Sequence, residues 1–454
     1  MSHALIAAWE KTLRHYGDRR AVVQAADGQA VTFRELDARA VAWLDRHVRP
    51  ATVLAGRAVV FSTQNSIGWL EIFLGLMRAG ALAVPLDGAE PPAAQRAVAD
   101  SLRASHWWNG AKLVPLSNAK RWRDQELCLI KMTSGTTGRP RPLVFTAAQL
   151  LADARQVMAT MRIGARDLNY AMIPLGHSYG LGNLTVPLIA HGVPLVCGAA
   201  PLPHAIAADF ANWKPTVFPG VPALWRALAA SGVALESLRL AISAGAPLPV
   251  EVARDFAARC GGRLHSFYGS SETGGIAFDA TGVASLQGGV GRALSGVTLT
   301  ALPRHQLLVR SAAVVTRGHR QRRGRYGAWK VTDLVALDAK AQLTVLGRRG
   351  TTVKISGRRV NLAEVTARLR GLRGVRAAWV GISASAEPVL GAVVASERQT
   401  NELRAALFRN LAAWKIPKKL IALTELPLSA RGKIDTRALQ ARLFPLEYAT
   451  HAKE

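Results

Sequence analysis

Cysteine, acidic residues and uninterrupted apolar runs are all scarce in this 454-residue chain, and each shortage excludes something. Cys128, Cys197 and Cys260 are odd in number and far apart. They rule out a disulfide framework or a CxxC metal pair and point to a reducing compartment. Acidic residues number 30 against 58 Lys+Arg, a formal charge of +28. Such a field favours anionic partners, whether nucleotides, coenzyme phosphates, an acidic protein, nucleic acid or a membrane surface. An arginine-rich compositional habit accounts for the same excess without any partner. The longest stretch without Asp, Glu, Lys or Arg runs from Leu168 to Ala208, long enough to cross a bilayer, but five prolines and five glycines interrupt it as a helix. Glu10 and Lys11 follow a short apolar stretch, which does not make a signal peptide. A cytoplasmic chain without a transmembrane segment is expected, and no internal repeat or nucleic-acid recognition module is visible.

What remains is an apolar content of 49% with 19% charged residues, enough to exclude a mainly disordered protein. The length implies two or more units. Strand and helix patterns alternate from Ala4 to about residue 275, which predicts doubly wound α/β subdomains. Five short strand patterns between Val297 and Leu346 predict a strand-rich β unit. Gly347-Arg348-Arg349-Gly350 reads as a hinge. The fold class is therefore α/β: a large N-terminal domain over 1–346, a hinge at 347–350, and a small mobile α+β domain over 351–454.

Chemistry-bearing residues collect in a few short stretches. Lys131–Thr146, KMTSGTTGRPRPLVFT, combines glycines, hydroxyls, Arg139 and Arg141 as a phosphate-holding loop would, though a Gly/Ser/Thr run is also an ordinary solvated turn. It is not a Walker loop, because no Gly-Lys-Ser/Thr follows at the required spacing. Ile242–Leu248, ISAGAPL, ends a strand with small residues. Phe267–Gly275, FYGSSETGG, places an aromatic, hydroxyls and one carboxylate at the end of another. In open α/β sheets that end is where ligands bind. Tyr268 can stack on a base and Glu272 can hold Mg²⁺, or the stretch is a solvated turn. Asp333 and Arg348 supply an acceptor and a donor for ribose or phosphate, and Leu426–Asp435, LPLSARGKID, presents Lys433 after a glycine.

These motifs, in this order and approximate spacing, together with GRRGTTVKISGRRVNLAEV and the weaker VTFREL and RAGALAVPLD, resemble the adenylate-forming (AMP-binding) enzymes. That group holds acyl- and aryl-CoA synthetases, acyl carrier protein ligases, luciferases and peptide-synthetase adenylation domains. The resemblance covers nearly the whole chain and implies ATP-dependent activation of a carboxylic acid to an acyl-adenylate, with pyrophosphate release, then transfer to a thiol. It implies that Thr133, Ser134, Gly135, Thr136, Thr137 and Gly138, with Arg141, wrap the β- and γ-phosphates. Ala244, Gly245, Ala246 and Tyr268 with Gly269 would hold adenine, Ser271 the α-phosphate region, and Asp333 and Arg348 the ribose. Glu272 would bind Mg²⁺, and Lys433 would bridge the carboxylate and α-phosphate. Thr137, Glu272, Arg348 and Lys433 are the catalytic candidates.

The chain departs from the family pattern at Pro142, where a glycine is usual, at Thr332, which replaces the glycine before the ribose-binding acid, and at Gly350, where the hinge usually carries Asp or Lys. These departures motivate a second reading, a non-catalytic nucleotide-binding regulatory or scaffold protein that keeps the fold. Ile173–Leu184, IPLGHSYGLGNL, resembles the acyl-pocket segment of benzoate-type ligases, with Pro215–Trp225 as another wall. His177, Tyr179, Gly180, Phe218, Gly220 and Val221 are expected to line a pocket for an aryl or medium to long acyl acid, with His177 either a gate or a core histidine. Arg317, Arg320, Arg322, Arg323 and Arg325, with Lys415, Lys418 and Lys419, would attract the phosphates of CoA or an acidic carrier protein bearing phosphopantetheine. Read alone, they are solvated loop charge.

Overall fold

In a computed structural model of the chain, residues 4–445 are described except 49–50, 125, 134–140, 316, 319–326, 349–351, 356–357, 384, 386–387, 409–410, 412 and 430–432. The chain forms two compact units. One comprises Met1–Pro303, Leu307–Val331 and Ala336–Thr344, the other Arg304–Gln306, Thr332–Val335 and Val345–Glu454.

Local chemistry starts the helices of the first unit. Thr32 accepts from the Glu35 amide while the Glu35 carboxylate accepts from the Thr32 amide, a reciprocal cap that opens Phe33–His47. Thr146 and Gln149 repeat the device at Ala147–Met161. These helices fill the space between two sheets. The nine-stranded sheet runs, edge to edge, Arg292–Ala293, Gly274–Phe278, Leu264–Ser270, Leu240–Ser243, Val217–Gly220, Asn169–Ala171, Leu195–Cys197, Arg20–Gln24, Ala30–Thr32. The seven-stranded sheet runs Arg317–Gly318, Arg141–Thr146, Leu127–Thr133, Leu82–Leu86, Ala58–Ser62, His106–Trp108, Leu113–Pro115.

Strand alternation assigns the layers. Val22, Phe61, Leu129 and Phe145 face inward, where they join Trp9, Phe33, Trp69 and Phe73 in the largest core. Val23, Tyr170 and Phe218 face the outer helices Pro203–Trp213, Pro222–Ser231 and Val250–Cys260. Val60, Val84 and Ile130 face the outside of the second sheet. Each large apolar side chain so buried contributes roughly 1.5–3 kcal/mol. Cys128 and Cys197 lie in the inner core, where burial pushes both thiols up, Cys197 to about 12.

The stretch 168–208 is not one helix: its strands Asn169–Ala171 and Leu195–Cys197 alternate with short helices, and Pro203 opens the last of these, because a proline at the first helical position gives up an N–H that has no partner there. The stretch 105–125 contributes the hairpin of His106–Trp108 and Leu113–Pro115. Residues 313–315 form a turn, and Val314 and Val315 are buried in it.

The second unit is α+β. Its sheet runs Val375–Ile382, Leu390–Ser396, Lys419–Leu423, with the central strand buried throughout. Leu362–Arg370, Thr400–Phe408 and Thr436–Leu443 are its helices, and Lys415 pairs with Glu364 at 2.8 Å. Among the described residues no helix is long and apolar enough to cross a membrane.

Candidate active site

Three parallel strands reach the same edge in the first unit, and Leu264–Ser270 runs on past the other two. Gly220 pairs in register with Ser243, and Ser243 with Ser266, so the segments after these strands emerge at one carboxyl edge. There the Ala244 amide donates to Gly220 at 3.1 Å, and Gly245, at φ +83°, turns the chain so that it and Ala246 are exposed. Beside them, Tyr268, Ser271 and Glu272 are half-buried and Gly269 is exposed. The Ser270 hydroxyl meets Thr273 Oγ1 at 3.0 Å and accepts from the Glu272 amide at 3.3 Å, while the Val315 amide donates to the Glu272 carbonyl at 2.8 Å. The backbone of this turn is therefore fixed around a partly exposed carboxylate.

Tyr179 reaches the same edge from the segment Ser178–Gly180. Its hydroxyl donates to the Ile242 carbonyl at 3.2 Å, its ring centroid lies 5.8 Å from that of Phe267, and burial pushes its phenol well above the ordinary value. Val221 packs against the same inner core as Tyr179. His177 has a carboxylate partner that sequence reasoning did not name: Asp87 Oδ2 lies 3.5 Å from its Nε2, just past the strand Leu82–Leu86. Asp87 is held in turn by Ser62, whose hydroxyl donates to its carbonyl at 2.5 Å.

Two expected pocket residues face elsewhere. Phe218 is fully buried among Tyr170, Phe210 and Trp225. Gly220, two residues on and so on the same face, abuts Trp225, whose ring atoms lie about 2.9–3.0 Å from where a β-carbon would stand. Both belong to the outer core. Gly180 is buried against the Pro174 carbonyl.

Sequence reasoning also missed a buried polar stripe on Ala147–Met161. Gln149, Asp153 and Gln156, spaced along one face, all bond backbone: Gln149 Nε2 to Val314 O at 2.8 Å, Asp153 Oδ1 from Gly275 N at 2.8 Å, Gln156 Nε2 to Gly296 O at 3.2 Å. Opposite, Lys131 on Leu127–Thr133 is 5% exposed, with its ammonium 4.2 Å from the centre of the Phe145 ring. Burial pushes Lys131 down and Asp153 up. The Asp153 and Glu272 carboxylates oppose the first shift, and the Lys131 charge opposes the second. The signal available in the sequence was three polar residues at helical spacing inside an otherwise apolar face.

Ser134, Gly135, Thr136, Thr137 and Gly138 lie outside the described residues, as do Arg320, Arg322, Arg323, Arg325 and Gly350. Thr133 ends its strand opposite Arg141, which is exposed, and Pro142 sits inside the paired strand opposite Met132. In the second unit, Asp333 begins the strand Asp333–Leu337 and is half-buried, and Arg348 ends Leu343–Arg348. Lys433 is exposed. Its carbonyl accepts from the Ser429 amide at 2.7 Å, and the Asp435 amide donates to Pro427 at 2.8 Å, closing the loop before the helix Thr436–Leu443. Among the described residues no group of three His, Cys, Asp or Glu could hold a metal by itself. Glu272, a single half-buried carboxylate, instead fits Mg²⁺ that draws its other ligands from phosphate oxygens and water.

Against known proteins, the AMP-binding enzyme family matches residues 9–109 and 95–304. A feruloyl-CoA synthase from Amycolatopsis sp is 27% identical over 461 residues, covering 90% of this chain and 93% of that protein. Among solved structures, ATP-bound MatB from Rhodopseudomonas palustris superposes with a TM-score of 0.82 at 22% identity, covering 97% of this chain and 99% of that one. The O-succinylbenzoate coenzyme A synthetase of Bacillus subtilis, bound to AMP, gives 0.80 at 20% identity, covering 96% and 97%. At these identities the structural likeness establishes the fold.

Proposed function

The chain belongs to the AMP-binding enzyme family, and from that premise we propose that it is an AMP-forming acid–thiol ligase. A carboxylate oxygen of the acid attacks the α-phosphorus of ATP, the bond to the β-phosphate breaks, and pyrophosphate leaves. A thiol then loses its proton to solvent, its sulfur attacks the acyl carbon, and AMP departs. The carrying observation is the shared carboxyl edge, where Val221, Ala244–Ala246, the Glu272 turn and Tyr179 meet. Ala244–Ala246 and Tyr268 hold adenine there, Ser271 the α-phosphate, and Thr133–Gly138 with Arg141 the outer phosphates. Glu272 would hold Mg²⁺, which would offset phosphate charge there. Tyr179 and Val221 line the acid pocket, with His177, set by Asp87, at its mouth.

Lys433 stabilises the charge that builds as pyrophosphate leaves, and Asp333 and Arg348 hold the ribose. Residues 347–350 act as the pivot that separates the two half-reactions. The likeness to a feruloyl-CoA synthase supports an aromatic acid as substrate and CoA as acceptor; the phosphopantetheine of an acidic acyl carrier protein is the other acceptor the basic surface suits. Three free cysteines, two of them buried, support a cytoplasmic setting. The test is pyrophosphate exchange across aryl and fatty acids, followed by thioester formation with CoA or a holo carrier protein. Exchange with an aromatic acid and its CoA thioester are expected. ATP binding without exchange for any acid would sink the reading.

A further inference from the structure

His177 and Tyr179 are reached along a piece of chain that belongs to no strand. Asn169–Ala171 stops at Ala171, and residues 172–177 follow as bends and turns before Ser178–Gly180. A chain leaving a sheet still needs partners for its peptide groups. Asn65, in the loop after Ala58–Ser62 of the other sheet, supplies them. Its carboxamide nitrogen donates to the Ala171 carbonyl at 3.1 Å and to the Ile173 carbonyl at 2.8 Å, and its oxygen accepts from the Leu175 amide at 2.9 Å. Thr185 donates to the Leu175 carbonyl at 3.1 Å.

The residue type matters here. A carboxamide carries two N–H donors and an acceptor oxygen, the set that two carbonyls and one amide require, whereas a carboxylate of the same shape sets oxygen against both carbonyls. The next part of the segment is held from the same sheet. Ser62 pairs in register with Leu86, so Asp87 emerges near the loop that carries Asn65 and meets His177. Gly176 lies against Pro85 and Trp69, and a β-carbon on it would stand 2.6 Å from the proline side chain. The seven-stranded sheet therefore sets the path of residues 171–177, although they leave the nine-stranded one.

We propose that Asn65 is a positioning residue of the acid pocket: by fixing the backbone at Ala171, Ile173 and Leu175 it sets where His177 and Tyr179 stand, and so governs which acids fit. It touches no reacting atom and acts only through that segment. The inference rests on the proposed acid pocket.

The test is pyrophosphate exchange by the full chain, with KM measured separately for ATP and for a panel of aromatic acids. Asn65→Asp keeps the shape and turns both donors into acceptors, and Asn65→Ala removes all three bonds. Both are expected to raise the KM of the preferred acid roughly tenfold or more and to change the rank order of the panel, with the KM for ATP within about twofold of the parent. Ser66→Ala is the control. It removes the hydroxyl that accepts from the Trp69 amide at the start of Ile67–Arg78, and is expected to lower the unfolding temperature with both KM values level. An unchanged acid KM in the Asn65 variants, a parallel rise for acid and ATP, or the same split in Ser66→Ala overturns the proposal. Should both variants fail to fold, Asn65→Ser, which keeps one donor for the two carbonyls, carries the same test. If the parent exchanges pyrophosphate with no acid, it is the proposed function that fails.

Discussion

In the first unit the site residues are fixed by buried contacts to backbone, Tyr179 to Ile242 and Asp153 to Gly275. In the second unit Lys433 is fixed through its own carbonyl, which accepts from Ser429, and its side chain is exposed. The difference matches two tasks. A cradle for a nucleotide must hold its donors to a fraction of an ångström before the ligand arrives. The role proposed for Lys433 needs a defined anchor and a long side chain.

The comparison breaks most readily at Lys433. Replacing it by alanine is expected to lower acid-dependent pyrophosphate exchange by about a hundredfold or more, with thermal unfolding unchanged because the side chain is exposed. Unchanged exchange would remove the assigned role, and a lowered melting temperature would show that Lys433 is structural. Gln149→Ala is expected to do the reverse. It leaves the Val314 carbonyl without its donor and takes away the partner of the Thr146 amide, costing about 1–3 kcal/mol in urea unfolding monitored by tryptophan fluorescence. If exchange falls while stability holds, the stripe is more than a support.

How far the sequence reached depends on what each residue type can announce. Helices with side-chain caps, such as Ala147–Met161 behind Thr146 and Gln149, announce their starts in the sequence. The two faces of a strand buried on both sides are not. Val217, Phe218, Pro219 and Gly220 are all inaccessible, so alternation has no polar face to start from, and Phe218 and Gly220 were assigned to the wrong layer. The glycine-rich motifs located the edge because they combine unusual residues in a short run. Asp87 and His177 stand ninety residues apart and meet only when two strands from different sheets end near each other. Lys131 sits between apolar Ile130 and Met132 in its strand, and nothing in its local sequence says that its ammonium lies over the buried Phe145 ring.

Tyr179 offers the smallest effect and the finest distinction. Its ring packs beside Phe267, and its hydroxyl makes one hydrogen bond to a strand-end carbonyl. Tyr179→Phe keeps the first and removes the second, at a cost of about 1 kcal/mol, which amounts to roughly fivefold in an affinity. If Tyr179 is a wall of the acid pocket, that loss falls on the KM for the acid, with the KM for ATP unchanged. If both constants rise together, the hydroxyl is bracing the common strand edge through Ile242, and the acid and nucleotide sides of the first unit share one rigid support.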